Sequence, residues 1–408
     1  MSTEEADTEK HVARRATHVD EVFTPATPIR TNDLFAGRAA QVEKMYNTML
    51  EPGRHGVLYG ERGVGKTSLA NIVGERLIKT DIIVSKVSAD SDDSFASLWR
   101  KVFSKIVLSS TKPGMGFLPV RKTELKRLSD RPDVDLNPDT VVETLSRLPL
   151  TVVVIDEFDR VESTRVGVLM ADMIKALSDA GTGATILLVG VGSNVSDLIG
   201  HHPSVERSLR QIHLQRMAPF ELEEILDNGF KRLSLEISPG LKRKMMNLSH
   251  GFPHYTHVLG KYASLYAIEH DTNTVTDDAF YSAVKVSIED TYHSVQEYYL
   301  RVVSESDSKI LPYFLLAAAV APEDEYGAFY PRDIRKPLRA IKGWIFSMMP
   351  VRRSLNRLAS EEGGNVLQRI GRPKNRRYRF HNPLMKPYII MRAYRDGAIG
   401  EDALQKLT

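Results

Sequence analysis

Nine consecutive residues, Gly60-Glu61-Arg62-Gly63-Val64-Gly65-Lys66-Thr67-Ser68, constrain this chain more than any other feature. They follow a short apolar run, 55–59, and lead into Leu69, Ile72, Val73 and Leu77, which recur at helical spacing. A strand, a glycine loop and a helix in that order turn successive backbone N–H groups inward, because glycine accepts the backbone angles such a turn needs. The helix that follows aims its N-terminus at the same point, so the segment is built to hold an anion. The spacing Gly60-x-x-x-x-Gly65-Lys66-Thr67 is that of a phosphate-binding P-loop. In that motif Lys66 lies against the β and γ phosphates and Thr67 ligates magnesium. The expected cofactors are therefore ATP and Mg2+, cradled by all nine residues.

A second apolar run, 151–155, ends at Asp156-Glu157. Runs 82–88 and 185–191 are also rich in β-branched residues, and helical patterns at 95–108, 141–148 and 166–180 separate them. Apolar strands alternating with helices predict an α/β fold, a parallel sheet flanked by helices on both faces. An acid ending a buried strand emerges at the carboxyl edge of such a sheet, where ligands bind. Asp156 can hold magnesium there through water. Glu157 either polarises the attacking water or caps the next helix. Residues 111–138, with Pro113, Gly114, Gly116 and Pro119, read as an irregular insertion with at most one short helix.

From residue 219 the strand patterns stop. Helical patterns at 221–235, 239–250, 253–270 and 276–290 predict a small helical domain. From residue 308 come three helical patterns, an apolar run at 365–370, a basic turn, a second run at 376–380 and a closing helix at 382–394. Three helices followed by a hairpin predict a winged helix, with the basic turn as its wing. The expected divisions are a flexible tail at 1–33, a nucleotide-binding domain at 34–218, a helical lid at 219–300, a winged helix at 301–396 and a tail at 397–408.

Composition narrows the classes. The chain has no cysteine, which excludes disulfides, thiolate metal sites and a cysteine nucleophile. No apolar run approaches the roughly eighteen residues of a membrane span, and the acidic N-terminus lacks the order of a signal peptide. A cytoplasmic protein without membrane contact is expected. His250, His254 and His257 are interrupted by Gly251 and Pro253 and lack a completing acid, which argues against a zinc set. The whole chain carries +3, yet residues 331–380 hold fourteen Lys or Arg against three acids, a local +11. Such a concentration suits a polyanion.

Residues 34–38 (Leu-Phe-Ala-Gly-Arg), the glycine loop and residues 152–157 (Val-Val-Val-Ile-Asp-Glu) together resemble the AAA+ ATPases. Within them the resemblance is to the group of replication initiators, helicase loaders, transposition regulators and related signalling ATPases. It spans about residues 34–290, and to about 395 with the winged helix. It implies that Asn194, with Ser193 close behind, senses the γ-phosphate after the strand 185–191, unless it only caps a helix. It implies that Arg207, or else Arg210, is an arginine finger reaching a neighbouring subunit's nucleotide. Members often carry an arginine at the start of the third lid helix. Here Gly251-Phe252-Pro253-His254 stands there, which resembles signalling-type members and some transposition regulators. His254 either takes the arginine's place at the nucleotide or packs.

The resemblance implies an ATPase, weak or partner-stimulated, that forms ATP-dependent homo-oligomers. Arg352, Arg353 and Arg357 on the third helix of the winged helix, with Arg372, Lys374, Arg376 and Arg377 around its turn, are the candidate contacts to double-stranded DNA. Tyr378 and Phe380 should alternate inward as core. Two alternatives stay open. One is a signalling or defence ATPase whose winged helix is a regulatory protein contact, with a separate effector. The other is a transposition-associated target selector working with a nuclease or integrase.

Overall fold

The computed structural model describes residues 15–29, 35–112, 122–128, 135–192, 198, 205, 207–304, 310–343 and 345–400. In chain order its first strands are β1 (His55–Gly60), β2 (Ile83–Ser88), β3 (Val107–Lys112), β4 (Lys122–Arg127), β5 (Thr151–Asp156), β6 (Ala184–Val191) and β7 (Leu209–His213). Five of them form one sheet in the order β2-β5-β6-β1-β7, and every pairing in it is parallel.

Parallel sheets need cover on both faces, and the apolar residues divide accordingly. Along β5, Val152 and Val154 join the core under the helices Ala39–Leu50 and Lys66–Ile78. Val153 and Ile155 join the core under Phe95–Lys105, Pro138–Ser146 and Thr164–Asp179. β1 and β5 are buried throughout. The parallel sheet flanked by helices is thus present.

β3 and β4 form an antiparallel hairpin, with Val107 opposite Arg127; β4 and the end of β3 lie in the stretch expected to be irregular, and β3 begins where the expected helix 95–108 was to end. Its strands are polar on paper, so period-two patterning did not mark them.

Beyond β7 four helices pack together: Pro219–Arg232, Pro239–Ser249, Pro253–Glu269 and Asp277–Glu289. Three begin with proline in the first turn, where its missing N–H costs nothing. A small parallel pair, β8 (Glu236–Ile237) and β9 (Thr274–Val275), ties their loops. Residues 15–22 form a further helix against this unit. Phe23 behind it is fully buried, edge-on to Phe230 at 5.4 Å. Residues 15–29 therefore depart from the expected tail: a buried Val19, Val22 and Phe23 fix them.

The helix His293–Ser304 bridges to the C-terminal unit, so the expected division at 300 falls inside a helix. That unit has helices Leu311–Ala319, Arg335–Lys342 and Met348–Leu358. It also has the strands β10 (Ala328–Phe329), β11 (Leu367–Ile370) and β12 (Arg377–Phe380), and a closing helix Met385–Arg395. The strands run antiparallel in the order β10-β12-β11. Tyr378 and Phe380 are buried, as alternation requires. One apolar core runs without a break from the Lys66–Ile78 face of the large sheet through the four-helix unit into the C-terminal unit. No helix among the described residues is long and apolar enough to cross a membrane.

Candidate nucleotide site

The glycine loop leaves β1 at its carboxyl end. Gly60 passes so close to β7 that a Cβ there would lie 2.3 Å from the Leu214 carbonyl oxygen. Gly63 and Gly65 have φ of 86° and 96°, a region that strongly favours glycine. The loop delivers Lys66 into the first turn of the following helix. Its Nζ donates to the carbonyls of Gly60 (3.1 Å) and Glu61 (2.8 Å). Burial pushes the Lys66 ammonium down to about 8, against the opposing pull of Asp159, Asp156 and Glu61.

Asp156 ends β5 beside the loop and is buried. Its Oδ1 accepts the Glu157 N–H at 3.0 Å, and its Oδ2 faces Lys86 Nζ at 3.1 Å. Glu157 adopts a left-handed backbone (φ 55°, ψ 33°), uncommon for a non-glycine residue, which swings its carboxylate off the strand axis. That carboxylate pairs with Arg160 at 3.0 Å. Asp159 accepts the Val191 N–H at 2.8 Å and so ties the ends of β5 and β6 together.

These groups line one cavity of about 600 Å3, with Arg62 to Ser68, Asp156 and Glu157 on its wall. The wall also includes residues 24–29, Arg38, Asp159, Arg160, His254 and Leu384. Two positive-φ glycines, a lysine, a threonine and an acid line it, a set that fits a polyphosphate with magnesium.

His254 lines the cavity, and its Nδ1 donates to the Pro25 carbonyl at 3.0 Å. Its ring stacks near Tyr292, and burial lowers its pKa. The residue thus fastens the N-terminal segment to the four-helix unit. Arg207 is exposed and pairs with Asp179 at 3.2 Å. His55 is opposite Leu209, so Arg207 and Arg210 stand at the amino-terminal edge of the sheet. That is a strand length, on the order of 15–20 Å, from their own glycine loop. Asn194 and Ser193 lie outside the described residues.

The sequence reading missed Arg216. It bridges Glu61 of the glycine loop (2.6 and 2.9 Å) and Glu323 of the C-terminal unit (3.0 Å), and lies over the Phe252 ring. Glu323 also takes the buried Lys386 and lies 3.7 Å from His250. Burial alone would raise the Glu323 carboxyl; Lys386 and Arg216 hold it well below the usual carboxylate range. Nothing in the local sequence around Arg216 marks it, because its partners are 155 and 107 residues away.

In the C-terminal unit Arg352, Arg353, Arg372 and Lys374 are exposed, and Arg357 and Arg376 are half-buried. Arg377 is paired with Asp324. The hairpin is braced on the helix Met348–Leu358 by Arg369 to the Asn356 carbonyl (2.9 Å) and by Tyr378 to Asn356 Oδ1 (2.8 Å).

No curated protein matches the chain. Among solved structures, a Walker-type ATPase of Pyrococcus abyssi is 16% identical, covering 90% of this chain and 99% of that one, with a TM-score of 0.49. Orc1 of Aeropyrum pernix, solved in complex with DNA, is 14% identical over 92% and 95% of the two chains, with a TM-score of 0.45. The RuvB Holliday junction branch migration motor of Thermotoga maritima is 16% identical over 85% and 93%, also at 0.45. Residues 50–199, which hold the glycine loop and Asp156, match the AAA domain family, a similarity that supports nucleotide binding in general terms.

Proposed function

We propose that the chain is an AAA+ switch that binds ATP and hydrolyses it slowly. It assembles through nucleotide sites shared between subunits and binds double-stranded DNA through a C-terminal winged helix. The observation that carries this reading is the one cavity that brings Lys66, Thr67, Asp156 and Glu157 together at the carboxyl ends of β1 and β5. Lys66 and the loop N–H groups hold the β and γ phosphates. Thr67 and Asp156 would hold magnesium, which would supply charge neutralisation to the transferring group. Glu157 orients the attacking water and accepts its proton as the oxygen bonds to the γ-phosphorus and the bond to the β-phosphate oxygen breaks. A neighbouring chain's Arg207, or Arg210, supports the charge of the transferring group. The exposed position of both arginines, away from their own loop, favours a role across a subunit boundary.

Exposed Arg352, Arg353, Arg372 and Lys374, with Arg357 and Arg376 beside them, form the DNA-facing tip. Their contacts are mainly to phosphates, so affinity should fall steeply with salt. Arg377, held by Asp324, serves the fold of the tip.

A second reading has its own support. Leu384 of the C-terminal unit packs on Gly63, where a Cβ would lie 2.6 Å from it, and its carbonyl accepts the Tyr255 hydroxyl at 2.8 Å. With the Glu61–Arg216–Glu323 bridge, this favours a winged helix that clamps the nucleotide loop, as in a signalling ATPase. Light scattering with ATP, ADP or no nucleotide, each with and without duplex DNA, separates the two. Assembly that needs both ATP and DNA supports the switch on DNA, and assembly indifferent to DNA supports the clamp. A monomer in all six conditions contradicts both.

A further inference from the structure

The helix Met348–Leu358 buries one face through Val351, Leu355 and Leu358. The turn before it is fixed as well. Phe346 packs edge-on against Phe314 at 5.2 Å, and its carbonyl accepts the Arg335 Nε–H at 3.2 Å. Phe346 and Met348 both pack against the core. Their neighbours Ile345 and Met349 do the opposite. Ile345 is 72% exposed and Met349 75% exposed, more than any other large apolar side chain among the described residues. The fold has already satisfied this helix without them.

Met349, Arg352 and Arg353 stand at i, i+3 and i+4, so they share the outer face of the helix. Both arginines are exposed. The stretch that carries the apolar pair, residues 334–360, holds seven Lys or Arg and no acid. A partner matched to it carries negative charge beside a small apolar feature. Two side chains make a patch far short of the roughly 800 Å2 a side that an ordinary protein interface buries. A DNA duplex offers both features at the right scale. Its phosphates suit the arginines, and its major groove presents the thymine C5-methyl group among the polar base edges.

We propose that Met349 and Ile345 read the thymine methyl group in the major groove and are the specificity-determining residues of the DNA-facing tip. The inference deepens the DNA-binding reading above and rests on it. A helix that enters the major groove meets base edges with its N-terminal residues. Met349 is the second residue of its helix, and Arg352 and Arg353 follow about one turn, roughly 5 Å, along it. With those arginines on phosphates, Met349 falls at the base edges. Its unbranched thioether chain adapts to a methyl group, and Ile345 adds apolar surface beside the start of the helix. Burying one methyl group is worth about fourfold in affinity. Cytosine and deoxyuridine carry hydrogen at that carbon and offer nothing to bury.

The test is fluorescence anisotropy of the full chain, with magnesium and ATP, on labelled duplexes of one A·T-rich sequence. One duplex contains thymine and the other deoxyuridine, which removes only the methyl groups. The variants are Met349→Ala, Ile345→Ala, the two combined, and Arg352→Ala, each checked by its unfolding temperature. The wild-type chain should bind the thymine duplex at least about fourfold more tightly than the deoxyuridine duplex. Met349→Ala should lower affinity for the thymine duplex towards that for deoxyuridine, and the combined variant should erase the difference. Arg352→Ala should weaken both duplexes alike and keep their ratio. Equal binding of the two duplexes by the wild type would overturn the assignment and leave DNA binding standing. A preference for thymine that survives the combined variant would overturn it too. Failure to bind either duplex would overturn both readings. Flotation with vesicles of equimolar phosphatidylcholine and phosphatidylserine runs alongside. Vesicle binding lost in Met349→Ala, with no preference for thymine, would assign the pair to a bilayer instead.

Discussion

At the scale of single residues, the site divides into groups the sequence announces and groups it hides. Lys66 and Asp156 were legible because a glycine spacing and a strand end define them locally. Arg216 was not, because its partners are more than a hundred residues away. Glu157→Gln should keep ATP binding within severalfold and slow hydrolysis by about a hundredfold, read by phosphate release. Hydrolysis at the wild-type rate would remove Glu157 from the mechanism. Lys66 sets a pH dependence whose sign follows from its pKa of about 8 in the fold against 10.5 unfolded. Between those values the unfolded chain binds the extra proton, so this group makes folding more favourable as pH rises across the window, and its burial costs most below it. Polyphosphate favours the charged form, so ATP affinity should weaken as pH rises through about 8, by up to about tenfold per unit. Titrations at about pH 7 and pH 9 with equal affinity would contradict this.

At the scale of elements, the strands and helices of the parallel sheet were readable because each carries its own apolar period. The β3–β4 hairpin and the strap 15–29 were missed for a shared reason. Both are short and polar on paper, and tertiary contacts fix them. Phe23 shows how: it fills the space between two helices where Gly229 and Gly260 stand, and a Cβ at either would lie 2.3 or 2.4 Å from its ring. Those glycines, each inside a helix, form the recess for one aromatic ring. Phe23→Ala should destabilise the protein by about 3–5 kcal/mol in chemical denaturation. It should also weaken ATP binding, because residues 24–29 lose their anchor. A variant with unchanged stability would mean that the strap does not depend on this residue.

At the scale of the whole molecule, the sequence suggested a row of separable units, whereas the structure joins them through a shared core and one buried charge cluster. Glu61 of the glycine loop, Arg216, His250 of the four-helix unit, and Glu323 and Lys386 of the C-terminal unit meet there. No local pattern foretells such a cluster, since its members come from five stretches of chain. Glu323→Gln would leave two buried cations short of their counter-charge and should cost about 3–5 kcal/mol. Pairing it with Lys386→Met should recover part of that loss, measured as coupling in a double-mutant cycle. Additive losses would mean that the cluster does not act as a unit. The effects on binding and hydrolysis presuppose that the glycine loop holds a nucleotide. Calorimetric titration of magnesium ATP into the full chain and into Lys66→Ala tests this most directly. The wild-type chain should bind one ATP per chain, and Lys66→Ala should bind at least about a hundredfold more weakly. Equal binding by both, or no binding by the wild type, would contradict it.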